Sequence, residues 1–223
     1  MLGVYPILFV FGSLIIEIKT IKIDWLRPVT ASVIALVALF LLPLSLPFFK
    51  VETMVGYGKV LKNWGIVSPY MWEDGSYHEL PQDFADMRGW EDFAALAKEA
   101  YESLSEDEKS RVIVFGNSYG KVGTYNYYNR EENLPDGYSF EGSYMFWAPE
   151  NIPHNCVMLF LDKPTEELAS RFESVEKVKT LNVEFAREDG SDIYILKNPI
   201  ESFDEDYIDY RIETLQSFYR KPL

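Results

Sequence analysis

Apolar positions along this chain follow three different rhythms. From Leu2 to Ile16, and again from Val29 to Phe49, they run almost unbroken, and the second stretch covers 21 residues without a charge. At about 1.5 Å per residue, a helix of that length matches the ~30 Å hydrocarbon core of a bilayer. Pro43 and Pro47 fall near its end, where membrane helices tolerate proline. Glu17 breaks the first stretch, which has neither the basic leader nor the small-residue cleavage site of a signal peptide. It predicts a second membrane helix.

After residue 50 the apolar positions become periodic. Val51 to Trp64 predicts a short helix near a membrane surface, with Met54, Val55, Tyr57 and Leu61 as its apolar contacts. Trp90 to Leu104 sets Trp90, Phe93, Ala94, Ala97, Tyr101 and Leu104 on one buried helical stripe. The third rhythm is the short, continuous apolar run of a buried strand, seen at Val112–Phe115 and Cys156–Leu161. Thr165 to Phe172 predicts a short helix, with Thr165 as its N-cap and Glu166 and Glu167 in the favoured first turn. Val175–Val183 and Asp192–Leu196 predict further strands. Strands alternating with helices imply an α/β fold: a small, mostly parallel sheet with flanking helices, preceded by one or two transmembrane helices. The expected organisation is a membrane segment over residues 1–50, its second helix at 29–49, and a soluble α/β domain over residues 51–223. Gly65–Pro81 and Asn129–Pro153 are expected as loops, and Glu201–Asp209 as a solvated acidic loop.

Charge narrows the function. Of the 21 basic and 35 acidic residues, the first fifty hold four and two, which leaves 17 and 33 for the remainder. So acidic a domain repels phosphate backbones, which argues against nucleic acid as a partner. Lys19, Lys22 and Arg27 between the two apolar stretches favour the cytoplasm for that connection, although Lys50, Lys59 and Lys62 blunt the asymmetry. Cys156 is the single cysteine, so no internal disulfide forms, and its apolar run predicts a buried, inert thiol. One cysteine and two distant histidines, His78 and His154, supply no metal-binding pattern, and no cofactor is implied.

Gly116-Asn117-Ser118-Tyr119-Gly120 follows the strand Val112–Phe115 and leads into a segment able to start a helix. Such a corner serves as a passage from strand to helix, as an anion site at a helix N-terminus, or as the G-x-S-x-G elbow of a serine hydrolase built on Ser118. The hydrolase needs a later histidine, and His154 follows by only 36 residues. The plain strand-to-helix corner is the preferred reading. Beyond it, Tyr138, Phe140, Tyr144, Phe146 and Trp147 suit stacking on sugar rings, and equally suit packing on the core or at a membrane interface.

Several blocks together resemble a known region. They are LPQDFADMRGW at Leu80–Trp90, a helix ending YESL at Tyr101–Leu104, VIVFGNSYGKVGTYNYY at Val112–Tyr128, NLPDGYSFEGSYMFWAP at Asn133–Pro149, and FESVEKV at Phe172–Val178. In order and spacing they are similar to the C-terminal soluble domain of bacterial membrane glycosyltransferases of the family 39 type, relatives of the dolichyl-phosphate-mannose protein mannosyltransferases. The likeness runs from about Val29 to Phe185. It implies transfer of a sugar from a polyprenyl-phosphate carrier to an acceptor, at a bacterial cytoplasmic membrane, with the soluble domain outside the cytoplasm. It also implies a catalytic acid in an N-terminal loop with no counterpart here, so the chain is expected to be a C-terminal fragment, inactive alone and without a catalytic residue of its own. The family's N-Y-G turn corresponds to Asn117/Ser118-Tyr119-Gly120, and the position of Ser118 is often asparagine there. The candidate substrate contacts are Asn117, Tyr119, Gly120, Ser143, Tyr144 and Trp147. Alternatives are a self-sufficient membrane-anchored module binding a glycan or lipid head group, and the Ser118 hydrolase.

Overall fold

Which way side chains point along two strands decides the architecture of the larger part of this protein. The computed structural model describes residues 4–23 and 25–220; Leu2, the expected start of the first apolar run, lies outside them. The chain forms two compact units, Met1–Gln82 and Asp83–Leu223.

In the first unit, α1 (Tyr5–Thr20) and α2 (Leu26–Leu41, prolonged by a 3-10 turn over Leu42–Leu44) are apolar all round, and of their residues only Thr20 is buried. Among the described residues, Leu26–Leu44 is the one helical span long and apolar enough to cross a membrane, with 19 residues and a mean hydropathy of 2.0. At 16 residues, α1 reaches only about 24 Å. Pro43 cannot donate a backbone hydrogen bond, and α2 tightens into the 3-10 turn there. The hydroxyl of Tyr57, on α3 (Val51–Asn63), donates to the Phe40 carbonyl, and the Trp64 ring stacks on Phe40 with centroids 5.5 Å apart. Helix α3 buries Met54, Val55, Gly58 and Leu61. Gly58 is required, because a Cβ there would lie 2.8 Å from the Tyr70 ring.

The second unit opens within the single turn α4 (Gln82–Ala85), and α5 (Trp90–Glu102) and α6 (Glu106–Lys109) follow. Next come β1 (Val112–Phe115), α7 (Tyr119–Tyr128), β2 (Gly137–Tyr138), β3 (Val157–Phe160), α8 (Glu166–Ala169), β4 (Phe172–Thr180), β5 (Asp192–Pro199) and α9 (Phe203–Arg220). On one face of the sheet, Val114, Val157 and Leu159 pack with Phe93, Ala97 and Ala100 of α5 and Val122 and Tyr125 of α7. On the other, Ile113, Phe115, Met158 and Phe160 pack with Phe203 and Tyr207 of α9. Strands buried on both faces need apolar side chains at every position, which explains the continuous runs in β1 and β3.

The sheet has five strands in the order β2-β1-β3-β5-β4. β1 pairs parallel with both β2 and β3, whereas β5 runs antiparallel to β3 and to β4. The expected mostly parallel sheet is therefore corrected to a mixed one. The physical reason lies in the connections: the β4–β5 link is a short loop without a helix, closed at Gly190 (φ +82°), and a parallel pair needs a crossover. β4 lies on the sheet edge with Glu173, Glu176 and Lys177 exposed, and its ladder with β5 shifts register between Lys177 and Lys179. The expected helix Thr165–Phe172 shortens to one turn, though Thr165 caps it as anticipated by accepting from Leu168 N at 3.1 Å. Glu201–Asp209 is corrected as well: Asp204, Glu205 and Asp206 form the first turn of α9, since Phe203 and Tyr207, one turn apart, anchor that segment on the sheet.

Candidate functional site

The site is built on α7, and its geometry begins where β1 ends. Gly116 is required there, because a Cβ would lie 2.9 Å from Val122 Cγ2 and 3.4 Å from Leu161 Cβ. Ser118 then caps α7 from an extended conformation (φ −97°, ψ 127°), its Oγ accepting from Gly120 N at 3.1 Å. This is neither the strained turn nor the free hydroxyl of a nucleophile elbow. Both histidines are engaged elsewhere: His154 bonds Asp204 at 3.2 Å, and His78 stacks on Trp72 and bonds Ser76. The geometry speaks against a Ser118 hydrolase.

Nor does this helix terminus offer itself to an external anion. Asn117 N and Ser118 N donate to Asp162 Oδ2 at 3.1 and 3.3 Å, and Tyr119 N donates to Glu141 Oε2 at 2.9 Å. With Gly120 N on Ser118 Oγ, four successive N–H groups are answered by the chain's own side chains. Asp162, just beyond β3, also accepts from Lys121 Nζ at 2.5 Å, and Glu188 approaches the same ammonium at 3.0 Å. Burial works against the Lys121 charge, but attraction to Asp162 and Glu188 prevails, and its pKa is raised. Burial likewise pushes Glu188 up, and Lys121 outweighs it, so the Glu188 carboxyl sits below its ordinary range.

The two sides of α7 do different work. Lys121, Val122 and Tyr125 are buried, while Tyr119, Gly120, Gly123, Thr124, Tyr127 and Tyr128 repeat along a second face at i, i+1, i+4, i+5 spacing. That face is the floor of an open groove of about 340 Å³. Trp90 and Tyr144 form its walls. Trp90 is the first residue of α5, following Gly89 in the left-handed conformation (φ +82°), and its indole N–H donates to the Asp86 carbonyl. Tyr144 sits in a 3-10 turn, Gly142–Phe146, with its ring edge-on to Trp147 at 5.8 Å. The glycines shape the floor. A Cβ on Gly123 would lie 2.9 Å from the Tyr144 hydroxyl, and one on Gly120 would lie 3.7 Å from the Trp90 ring. Tyr119, Tyr127 and Tyr128 stay 56, 61 and 44% exposed, which marks aromatic surface reserved from the core.

Of the residues expected to contact substrate, Tyr119, Gly120 and Tyr144 meet in this groove, with Trp147 touching Tyr144. Asn117 and Ser143 are exposed and do not line it; the Asn117 carbonyl instead accepts from Ser139 Oγ at 3.2 Å. Trp90, Tyr127 and Tyr128 were not among the expected contacts. For the two tyrosines the signal was present, as two glycines three apart in a helix where tyrosine recurs at i+8 and i+9 from Tyr119. Among the described residues, no group of three or more His, Cys, Asp or Glu side chains is placed to hold a metal ion. Cys156 is buried, and burial pushes its thiol up to about 11. The chain matches no protein-family model, no curated protein and no solved structure.

Proposed function

We propose that this chain belongs to a membrane glycosyltransferase that takes its sugar from a polyprenyl-phosphate carrier, and that the α7 groove recognises carbohydrate on the acceptor side. The groove carries the reading. Indole and phenol faces suit the apolar C–H face of a sugar ring, and the hydroxyls of Thr124 and the tyrosines suit its polar rim. The likeness of the blocks between Leu80 and Val178 to family 39 domains supports the transferase class. The apolar, exposed surfaces of α1 and α2 support a bilayer as partner, with the basic connection Lys19–Arg27 on the cytoplasmic side and residues 51–223 outside. In this reading the groove orients a glycan and supplies no general base, since no carboxylate, imidazole or amine lines it.

The test is binding of the detergent-solubilised chain to an array of mono- and oligosaccharides, with Trp90→Ala and Tyr144→Ala alongside. Binding by the intact chain, weakened about tenfold or more in both variants, is the expected result. Absence of binding, or equal binding by all three proteins, overturns the carbohydrate reading. A self-sufficient membrane-anchored module would use the same groove. The chain alone is expected to release no polyprenyl phosphate from a polyprenyl-phosphate hexose, and turnover by the isolated chain would overturn the reading of it as the part of a transferase without the catalytic acid.

A further inference from the structure

The groove has a property that its surroundings do not share. Residues 51–223 carry 17 basic and 33 acidic side chains, yet every residue lining the groove is uncharged. A phosphate or carboxylate on a ligand therefore finds no cation in the lining to replace its water, and an anion left unpaired at a protein surface loses affinity.

Two sources from which positive potential would ordinarily reach this spot are used internally. One is the N-terminus of α7, where phosphates settle in many α/β folds. Its N–H groups from Asn117 to Gly120 already bond Asp162, Glu141 and Ser118 Oγ, so the helix end presents two carboxylates of its own. The other is the lysine side chain on the same helix. Lys121 is 7% exposed and turned away from the groove face, enclosed by Asp162 and Glu188. Arg130 lies 4.6 Å over the Tyr127 ring, at the far end of the floor, with Glu131 at 3.7 Å from its guanidinium.

We infer that the groove selects an uncharged pyranose and discriminates against phosphorylated and uronic sugars. The inference rests on the carbohydrate reading above and deepens it. It divides the proposed reaction in space: the groove holds the neutral, acceptor-side glycan, while the phosphate end of the carrier is bound elsewhere. Thr124 carries the small polar side chain at the middle of the floor. A cation introduced there supplies what the groove lacks, without disturbing the residues that enclose Lys121.

The experiment uses the full chain in nanodiscs and follows tryptophan fluorescence. The titrants are a neutral methyl hexoside-terminated oligosaccharide selected on the array, the same oligosaccharide carrying a 6-phosphate, and its uronate form. The expected result is at least about tenfold weaker binding of both anionic forms, corresponding to one factor of ten in Kd. The Thr124→Lys variant should narrow or reverse that gap. Equal or tighter binding of the phosphorylated form by the unaltered chain overturns the inference and leaves the carbohydrate reading standing. Binding of none of the three overturns both. A gap that Thr124→Lys leaves unchanged also overturns the inference, because the discrimination then does not arise from the uncharged floor.

Discussion

Lys121 keeps a full charge where little water reaches it, held by two carboxylates from two different loops, Asp162 after β3 and Glu188 between β4 and β5. Glu188, held low, adds stability that is intact above the ordinary glutamate range and lost as pH falls through its folded value. Lys121, held high, adds stability that is intact below the ordinary lysine range and lost as pH rises through its folded value. The cluster therefore contributes steadily from about pH 5 to about pH 10. Lys121→Met leaves two enclosed carboxylates facing each other and is expected to cost about 3 kcal/mol at neutral pH. Urea unfolding followed by tryptophan fluorescence measures that cost, and Lys121→Met/Glu188→Gln should recover part of it. Unchanged stability in Lys121→Met would show that the cluster does not pin the two loops together. None of this was legible in the sequence. Lys121 reads there as one more solvated helix cation, because its partners lie 41 and 67 positions away.

Helix α7 trades local stability for shape. Glycine inside a helix costs about 1 kcal/mol relative to alanine, and α7 has two of them, Gly120 and Gly123, both on the groove floor. A rule broken twice on one face marks a site where function outweighs propensity. Gly123→Ala is expected to change stability little, since the gain in helix propensity is offset by the shift of the partly buried Tyr144 ring, whose hydroxyl would lie 2.9 Å from the new Cβ. Glycan affinity in the same variant should fall about tenfold or more, and thermal unfolding beside array binding separates the two effects. The central elements were legible: β1 is found at the predicted residues, and α5 and β3 within two residues of them, because continuous runs and a 3.6 period are local signals. The antiparallel half of the sheet was missed. Asp189-Gly190 is a turn pair of the kind that joins antiparallel strands. Helices found between the earlier strands masked that signal. Trp90 was missed as a site residue for a related reason: it continues the apolar stripe of α5, yet lies at the helix end where the stripe leaves the core.

At the scale of the whole molecule, the division of labour is between an apolar, outward-facing pair of helices and an acidic α/β unit. If α2 lies in a bilayer, a charge at its middle carries a large penalty. Leu36→Lys is expected to weaken insertion by about 3 kcal/mol, read as a shift of the chain from the carbonate-resistant membrane fraction to the extract. Retention equal to that of the unaltered chain would argue against α2 as the anchor. A membrane-tethered protein is confined to two dimensions, where neighbours meet often and in similar orientations. The outer strand of a sheet is then a hazard, since its unpaired N–H and C=O groups can recruit the same strand of another copy. β4 is nine residues long and would be an effective template. Its exposed charges, Glu173, Glu176 and Lys177, must be desolvated before another strand can dock, and the register shift between Lys177 and Lys179 spoils an even ladder. The opposite edge, β2, offers only two residues. Both margins of the sheet are thus poor nuclei for strand-to-strand growth between copies.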